Sequence, residues 1–192
     1  MHCTKQSTQK GLRVADTWHS EQGPSPVQFG WAAWIRIVLR AIPLFVLVFG
    51  GLGLLLLVRL IEAPIFAERR PVTPYITQFV CRSAFVILGI KYTSAGTPLQ
   101  GAGAVVANHV SWLDIFALNA RKRIYFVAKS EVAGWHGIGW LARATGTVFI
   151  KRDRSDVSAQ IKVFQDRLTA GHRLLFFPEG TSTDGLQVLA FK

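Results

Sequence analysis

The sequence predicts an α/β domain with a largely parallel sheet and flanking helices, preceded by an N-terminal two-helix membrane-embedded element. Three observations lead there. Beyond Gly96, short runs rich in Val, Ile and Phe alternate with a helical pattern. An uncharged run of 18 residues, Ala41 to Val58, lies between Arg40 and Arg59. A formal net charge of +11 sits on a chain that is 50% hydrophobic, a combination that suits a membrane surface better than a solvated face.

Taken in order, residues 1–28 are polar, lack apolar periodicity and carry the breaker cluster Gly23-Pro24-Ser25-Pro26, so a flexible tail is expected. Residues 29–92 form the membrane-associated part. The run from Ala41 to Val58 is long enough to span a bilayer, and Trp31 and Trp34 sit where an interfacial aromatic belt would lie. Pro43 and the glycines at 50, 51 and 53 interrupt it and both flanks are basic, so a helix lying in one leaflet stays open as an alternative to a span. A second apolar segment, Tyr75 to Ile90, follows Pro71 and Pro74. Its Ile76, Phe79, Val80, Ser83 and Ile87 share one helical face, as in a half-immersed amphipathic helix.

Residues 93–192 read as the α/β domain. Strands are expected at Ala104–Ala107, Ile124–Ala128, Gly146–Ile150 and Arg173–Phe177, because short apolar runs of this kind suit buried parallel strands. Between the last two, Val157, Ile161, Phe164 and Leu168 recur at helical spacing, with Asp153 and Ser155 as cap candidates and Gly171 as a stop. Such a β-α-β-α succession implies a parallel sheet.

Charge and cysteine content narrow the function classes. The excess of basic residues is dispersed, with 10 basic and 4 acidic residues in positions 1–100 and 12 and 7 in positions 101–192. Neither an arm nor a basic stripe of the nucleic-acid-binding kind is present. Cys3 and Cys81 are the only cysteines, and neither has His or Cys at metal-ligand spacing, so no metal site and no disulfide framework is expected. The polar start and late apolar run do not read as a cleaved secretory signal.

Two constellations carry chemistry. Asn108-His109-Val110-Ser111-Trp112-Leu113-Asp114 follows the first strand, where α/β domains place their sites. A helix capped by Ser111 would bring the Asp114 carboxylate to the His109 imidazole, fixing one ring nitrogen protonated and freeing the other as a base. By itself a His and Asp five apart more often only fixes a loop or helix start. No GxSxG occurs and no Cys lies near His109, so the nucleophile would be a substrate hydroxyl. The second constellation, Phe176-Phe177-Pro178-Glu179-Gly180-Thr181-Ser182, again ends a strand. Its Gly and hydroxyl residues suit an anion-binding concavity, whereas Glu179 suits one only if turned away to organise the loop.

Together, Asn-His-x-Ser-x-x-Asp and, nearly seventy residues later, Phe-Pro-Glu-Gly-Thr-Ser resemble the glycerolipid acyltransferases, in particular the bacterial 1-acylglycerol-3-phosphate (lysophosphatidic acid) acyltransferases. Gly146 to Arg152 resembles the family's intermediate block, and Lys129-Ser130-Glu131 the Lys-x-Glu before it. The resemblance covers about residues 75–192. It implies His109 as general base and Asp114 as its partner, with Arg152 clamping the acceptor's phosphate. Gly180, Thr181 and Glu179 would belong to the acceptor site, and Lys151 would assist. It further implies a two-helix element in one leaflet, an acyl group taken from acyl-ACP or acyl-CoA as co-substrate with no cofactor, and a place at the bacterial inner membrane with the site on the cytoplasmic face. Trp135 and Trp140 resemble the variable stretch over the acyl channel, although a buried aromatic pair is the simpler expectation.

The leading expectation is therefore acyl transfer to 1-acylglycerol-3-phosphate, giving phosphatidic acid in phospholipid biosynthesis. The same chemistry on a lyso-ornithine lipid is a near alternative, since Gly180 to Gly185 also fits that branch and Arg152 can hold a carboxylate. A non-catalytic membrane-binding fragment or pseudo-enzyme is the distant one. Relatives read Pro-Phe-Lys where this chain has Ala190-Phe191-Lys192 and then continue, so a closing block is expected to be missing and the activity of the truncated chain to depend on it.

Overall fold

The computed structural model describes residues 29–97, 99–151, 157–183, 185 and 188–191. Its element order is α1 (Trp31–Phe66), α2 (Thr73–Leu88), β1 (Gly103–Val106), α3 (Leu113–Arg121), β2 (Tyr125–Lys129), α4 (Ile138–Thr145), β3 (Val148–Ile150), α5 (Val157–Thr169) and β4 (Arg173–Phe176), with a 3₁₀ turn at Ser130–Gly134. The α/β class expected from the alternation is the class observed.

The sheet has four strands in the order β1-β4-β2-β3, and every pairing is parallel. The last strand thus inserts beside the first. Alternate side chains of β2 and β4 face opposite layers, as the two-residue repeat of a strand requires. Phe126 and Leu175 pack with Val105 and Leu118 towards α3. Tyr125, Val127 and Leu174 pack with Phe164 and Leu168 of α5. Leu174 and Leu175 are 2% and 0% exposed, and burying each of them stabilises the fold by about 1.5–3 kcal/mol.

Helix α1 runs further than the uncharged segment, through Pro43 and Pro64 without a break. Each proline removes only one backbone donor, a loss a long apolar helix absorbs. At 36 residues it is about 54 Å long. It is long and apolar enough to cross a membrane by length and composition, with only 6% of its most apolar window buried.

Helix α2 lies against α1, where Gly51 admits Val80 so closely that a β-carbon at Gly51 would meet the valine methyl at 2.5 Å. The face of α2 that packs on the protein is not the apolar face expected to meet the membrane. Thr73, Cys81, Ala84 and Phe85 are buried, whereas Phe79 is 66% exposed. Small residues decide this face, because they let α3 approach. Cys81, Phe85 and Ala120 share one cluster, and Gln78 Nε2 and Arg82 Nε both donate to the Ala120 carbonyl.

The α1–α2 turn is built around a buried carboxylate. Glu62, 3% exposed, accepts from the Val72 N–H (2.7 Å), the Thr73 N–H (3.2 Å) and the Thr73 hydroxyl (2.7 Å). It satisfies the open N–H groups at the start of α2, a task normally given to a cap residue in sequence.

Candidate active site

β1 and β4 end side by side, with the Ala107 N–H donating to the Phe176 carbonyl at 3.1 Å. The two loops that leave them carry the two constellations, so strand order alone brings together segments nearly seventy residues apart. The Thr183 N–H then donates to the His109 carbonyl at 2.9 Å, tying the second loop to the first. Gly185, at φ +79°, comes against Val110, and a β-carbon there would lie 3.2 Å from its methyl group.

Within the first loop Asp114 sits in the first turn of α3, which begins at Leu113, one residue later than a helix capped directly by Ser111 would. Ser111 Oγ accepts from the Leu113 N–H at 3.2 Å. Asp114 Oδ2 accepts from the Val110 and Ser111 N–H groups at 2.7 and 2.9 Å and faces His109 Nδ1 at 2.9 Å. Because a carboxylate only accepts, the neutral imidazole presents its proton at Nδ1 and its lone pair at Nε2.

The ring is held from its flat side as well. Phe177 stacks on His109 with centroids 4.3 Å apart and planes at 21°, and Phe126 stacks behind Phe177 at 5.8 Å. Both His109 and Asp114 keep 24% of their side-chain surface exposed, so the pair opens outward from an aromatic backing. Among the described residues Asp114 is the hydrogen-bond partner of the His109 ring. A base so placed, without a protein hydroxyl or thiol on Nε2, can take a proton from a hydroxyl brought by a substrate.

The remaining expected site residues fall differently. Gly180 turns the second loop at φ +69°, and Thr181 beside it is half-buried. Glu179 does not open towards a ligand. It is 0% exposed, and its Oε2 accepts the Leu189 N–H at 3.0 Å, while Oε1 has no hydrogen-bond partner among the described residues. That makes it a buried brace between the loop and the segment near Leu189, the turned-away arrangement that the sequence left open. Lys151 follows β3, at the far edge of the sheet from β1. Three strand intervals, about 14 Å, separate the two strands, so Lys151 is not brought to His109. Arg152 lies outside the described residues.

Trp135 and Trp140 are 56% and 61% exposed, not a buried pair, and α4 between Ile138 and Thr145 has no counterpart among the expected elements. Phe177 and Thr183 had no expected site role, since neither stacking on His109 nor bonding to its carbonyl leaves a pattern in sequence. Among the described residues no group of three or more His, Cys, Asp or Glu side chains could hold a metal ion.

Comparison of the sequence with known proteins gives the chain its relatives. The profile of the family described as Acyltransferase matches residues 90–192. The chain is 54% identical over 175 residues to a lyso-ornithine lipid O-acyltransferase of Rhodobacter capsulatus, a match covering 91% of this chain and 63% of the relative. It is 36% identical over 159 residues to a lyso-ornithine lipid O-acyltransferase of Pseudomonas aeruginosa, covering 83% and 62%. A 1-acyl-sn-glycerol-3-phosphate acyltransferase of Neisseria gonorrhoeae is 43% identical over 89 residues, covering 46% of this chain and 35% of the relative. The chain thus spans a little over three-fifths of the first two relatives. No solved structure matches it significantly. With the family profile covering more than half of its length, the chain belongs to the acyltransferase family.

Proposed function

We propose that the protein transfers a fatty acyl group from a thioester donor, acyl-ACP or acyl-CoA, to the free hydroxyl of a lyso-ornithine lipid at a membrane. The observation that carries the acyl-transfer reading is the part-exposed, hydrogen-bonded His109–Asp114 pair, which engages Nδ1 and leaves Nε2 without a protein partner among the described residues. In this mechanism the acceptor hydroxyl gives its proton to Nε2 as its oxygen attacks the thioester carbonyl. The tetrahedral adduct collapses, the carbon–sulfur bond breaks, and the imidazolium returns the proton to the departing thiolate. Asp114 stabilises the imidazolium meanwhile. An ester and a free thiol result, without a cofactor or a covalent enzyme intermediate.

The choice of acceptor is supported by the relatives. Two relatives, matched over 91% and 83% of this chain, are named for lyso-ornithine lipid, which moves that acceptor ahead of 1-acylglycerol-3-phosphate. Arg152 is assigned to the acceptor's anionic group, and Gly180 and Thr181 to the lining of the acceptor site. A guanidinium fork suits a carboxylate as well as a phosphate. Helix α1 is assigned to the bacterial inner membrane, with the site on the cytoplasmic side. A second reading, transfer to 1-acylglycerol-3-phosphate, keeps the support of the Neisseria relative.

Supplying labelled acyl donor and either acceptor to membranes containing the chain tests these readings. Acylated lyso-ornithine lipid is expected, and its loss in His109→Ala with membrane association intact. Phosphatidic acid as the sole product would replace the acceptor. No product on either would favour a non-catalytic membrane-binding role.

A further inference from the structure

At the opposite end of the sheet from His109, where β2 and β4 begin, lies a hollow of about 470 Å³ whose lining includes Arg69, Arg70, Arg123, Arg173, Tyr125 and His172. These residues come from the α1–α2 turn and from two strand starts, so only the fold assembles them. The acyl-transfer chemistry uses none of them.

None of the four guanidiniums makes an ion pair among the described residues, although the charge of Glu68 favours the Arg70 cation. Arg59 and Arg167 pair with Glu62 and Glu68, at 3.5 and 3.1 Å, but no ion pair there involves Arg69, Arg70, Arg123 or Arg173. Neutral contacts hold three of them in place. Arg70 Nη1 donates to the Ala144 carbonyl at 2.6 Å, Arg173 Nε to the Leu99 carbonyl at 3.2 Å, and Arg123 lies 4.5 Å over the Tyr75 ring. Arg70 Nε is buried without a partner.

Beneath them His172, 4% exposed, stacks on Tyr125 at 4.0 Å. Neither of its ring nitrogens has a hydrogen-bond partner among the described residues. The Glu68 backbone favours its charged form slightly, but it is not in bonding geometry. A solvated basic face would keep its cations apart and in water. Here three half-buried cations, the exposed Arg69 and a buried imidazole line one hollow, an arrangement that like-charge repulsion opposes unless an anion enters. Several Arg forks approaching from different elements match the oxygens of a doubly charged tetrahedral group.

We propose that this hollow binds a phosphate or diphosphate group, separately from the acyl-transfer site. The inference does not rest on the proposed acyl-transfer function. Two sources could deliver that group, a water-soluble phosphoanion or the head group of an anionic phospholipid.

Equilibrium dialysis of labelled pyrophosphate against the full chain in detergent, with a short-chain phosphatidylglycerol as competitor, tests the site and separates its sources. Saturable pyrophosphate binding is expected, weakened about tenfold or more in the double variant Arg69→Gln/Arg123→Gln and unchanged in Arg152→Gln. Displacement by the lipid would assign the site to head groups, and its failure to a soluble anion. Absence of saturable binding, unchanged binding in a double variant with wild-type circular dichroism, or loss that follows Arg152→Gln would each overturn the proposal. Phenylglyoxal labelling of the unaltered chain gives a check without variants. Pyrophosphate should protect the peptides bearing Arg69, Arg123 and Arg173, and protection confined to other arginines would sink the assignment.

Discussion

Asp114 offers one carboxylate oxygen to three donors, the His109 ring and two backbone N–H groups. It therefore sets both the tautomer of the base and the shape of the loop that carries it. Asp114→Asn removes the charge that favours the imidazolium, so acyl-transfer kcat should fall by about 10²-fold or more, with a smaller change in acceptor KM. Steady-state assays over a range of acceptor concentration check that split. Spacing in the sequence identified His109 and Asp114 as potential partners. It left Glu179 open, because whether a carboxylate at a strand end faces a ligand or the interior depends on what packs over it, here the segment around Leu189.

At the scale of elements, the α1–α2 turn shows how a charge near an apolar run can be structural. Glu62 makes three hydrogen bonds to Val72 and Thr73 from inside the protein. Glu62→Ala leaves those donors without their acceptor and should destabilise the hairpin by about 1–3 kcal/mol. Faster hydrogen exchange at the first amides of α2, with exchange in β4 little changed, would register it. The four strands and α5 were legible because each strand is announced by a short apolar run and α5 by its helical period, and their ends fall within two residues of expectation. The packed face of α2 and the existence of α4 were not, since small residues and exposed tryptophans carry weak periodic signals and their placement follows from neighbours.

For the molecule as a whole, the buried His172 links stability to acidity. Burial, then the charges of Arg167 and Arg70, lower its pKa from 6.5 to about 4. The unfolded chain therefore binds a proton that the folded chain refuses. The contribution of His172 is complete above about pH 6.5 and is lost as pH falls through the interval down to about pH 4, amounting to as much as about 3 kcal/mol. Denaturant melts at about pH 7 and about pH 4.5 should show the loss, and His172→Gln should flatten it.

The sequence alone determined the α/β class, the long apolar helix at the start and the residue types of the two constellations, because period, length and spacing are properties of a continuous stretch. The tertiary structure alone decided that β4 lies beside β1, which sets Phe177 against the His109 ring, separates Lys151 from it by the width of the sheet, and gathers four arginines at the far end. Each of these depends on pairings between residues far apart in the chain, and those are chosen by packing over the whole molecule rather than by any local pattern.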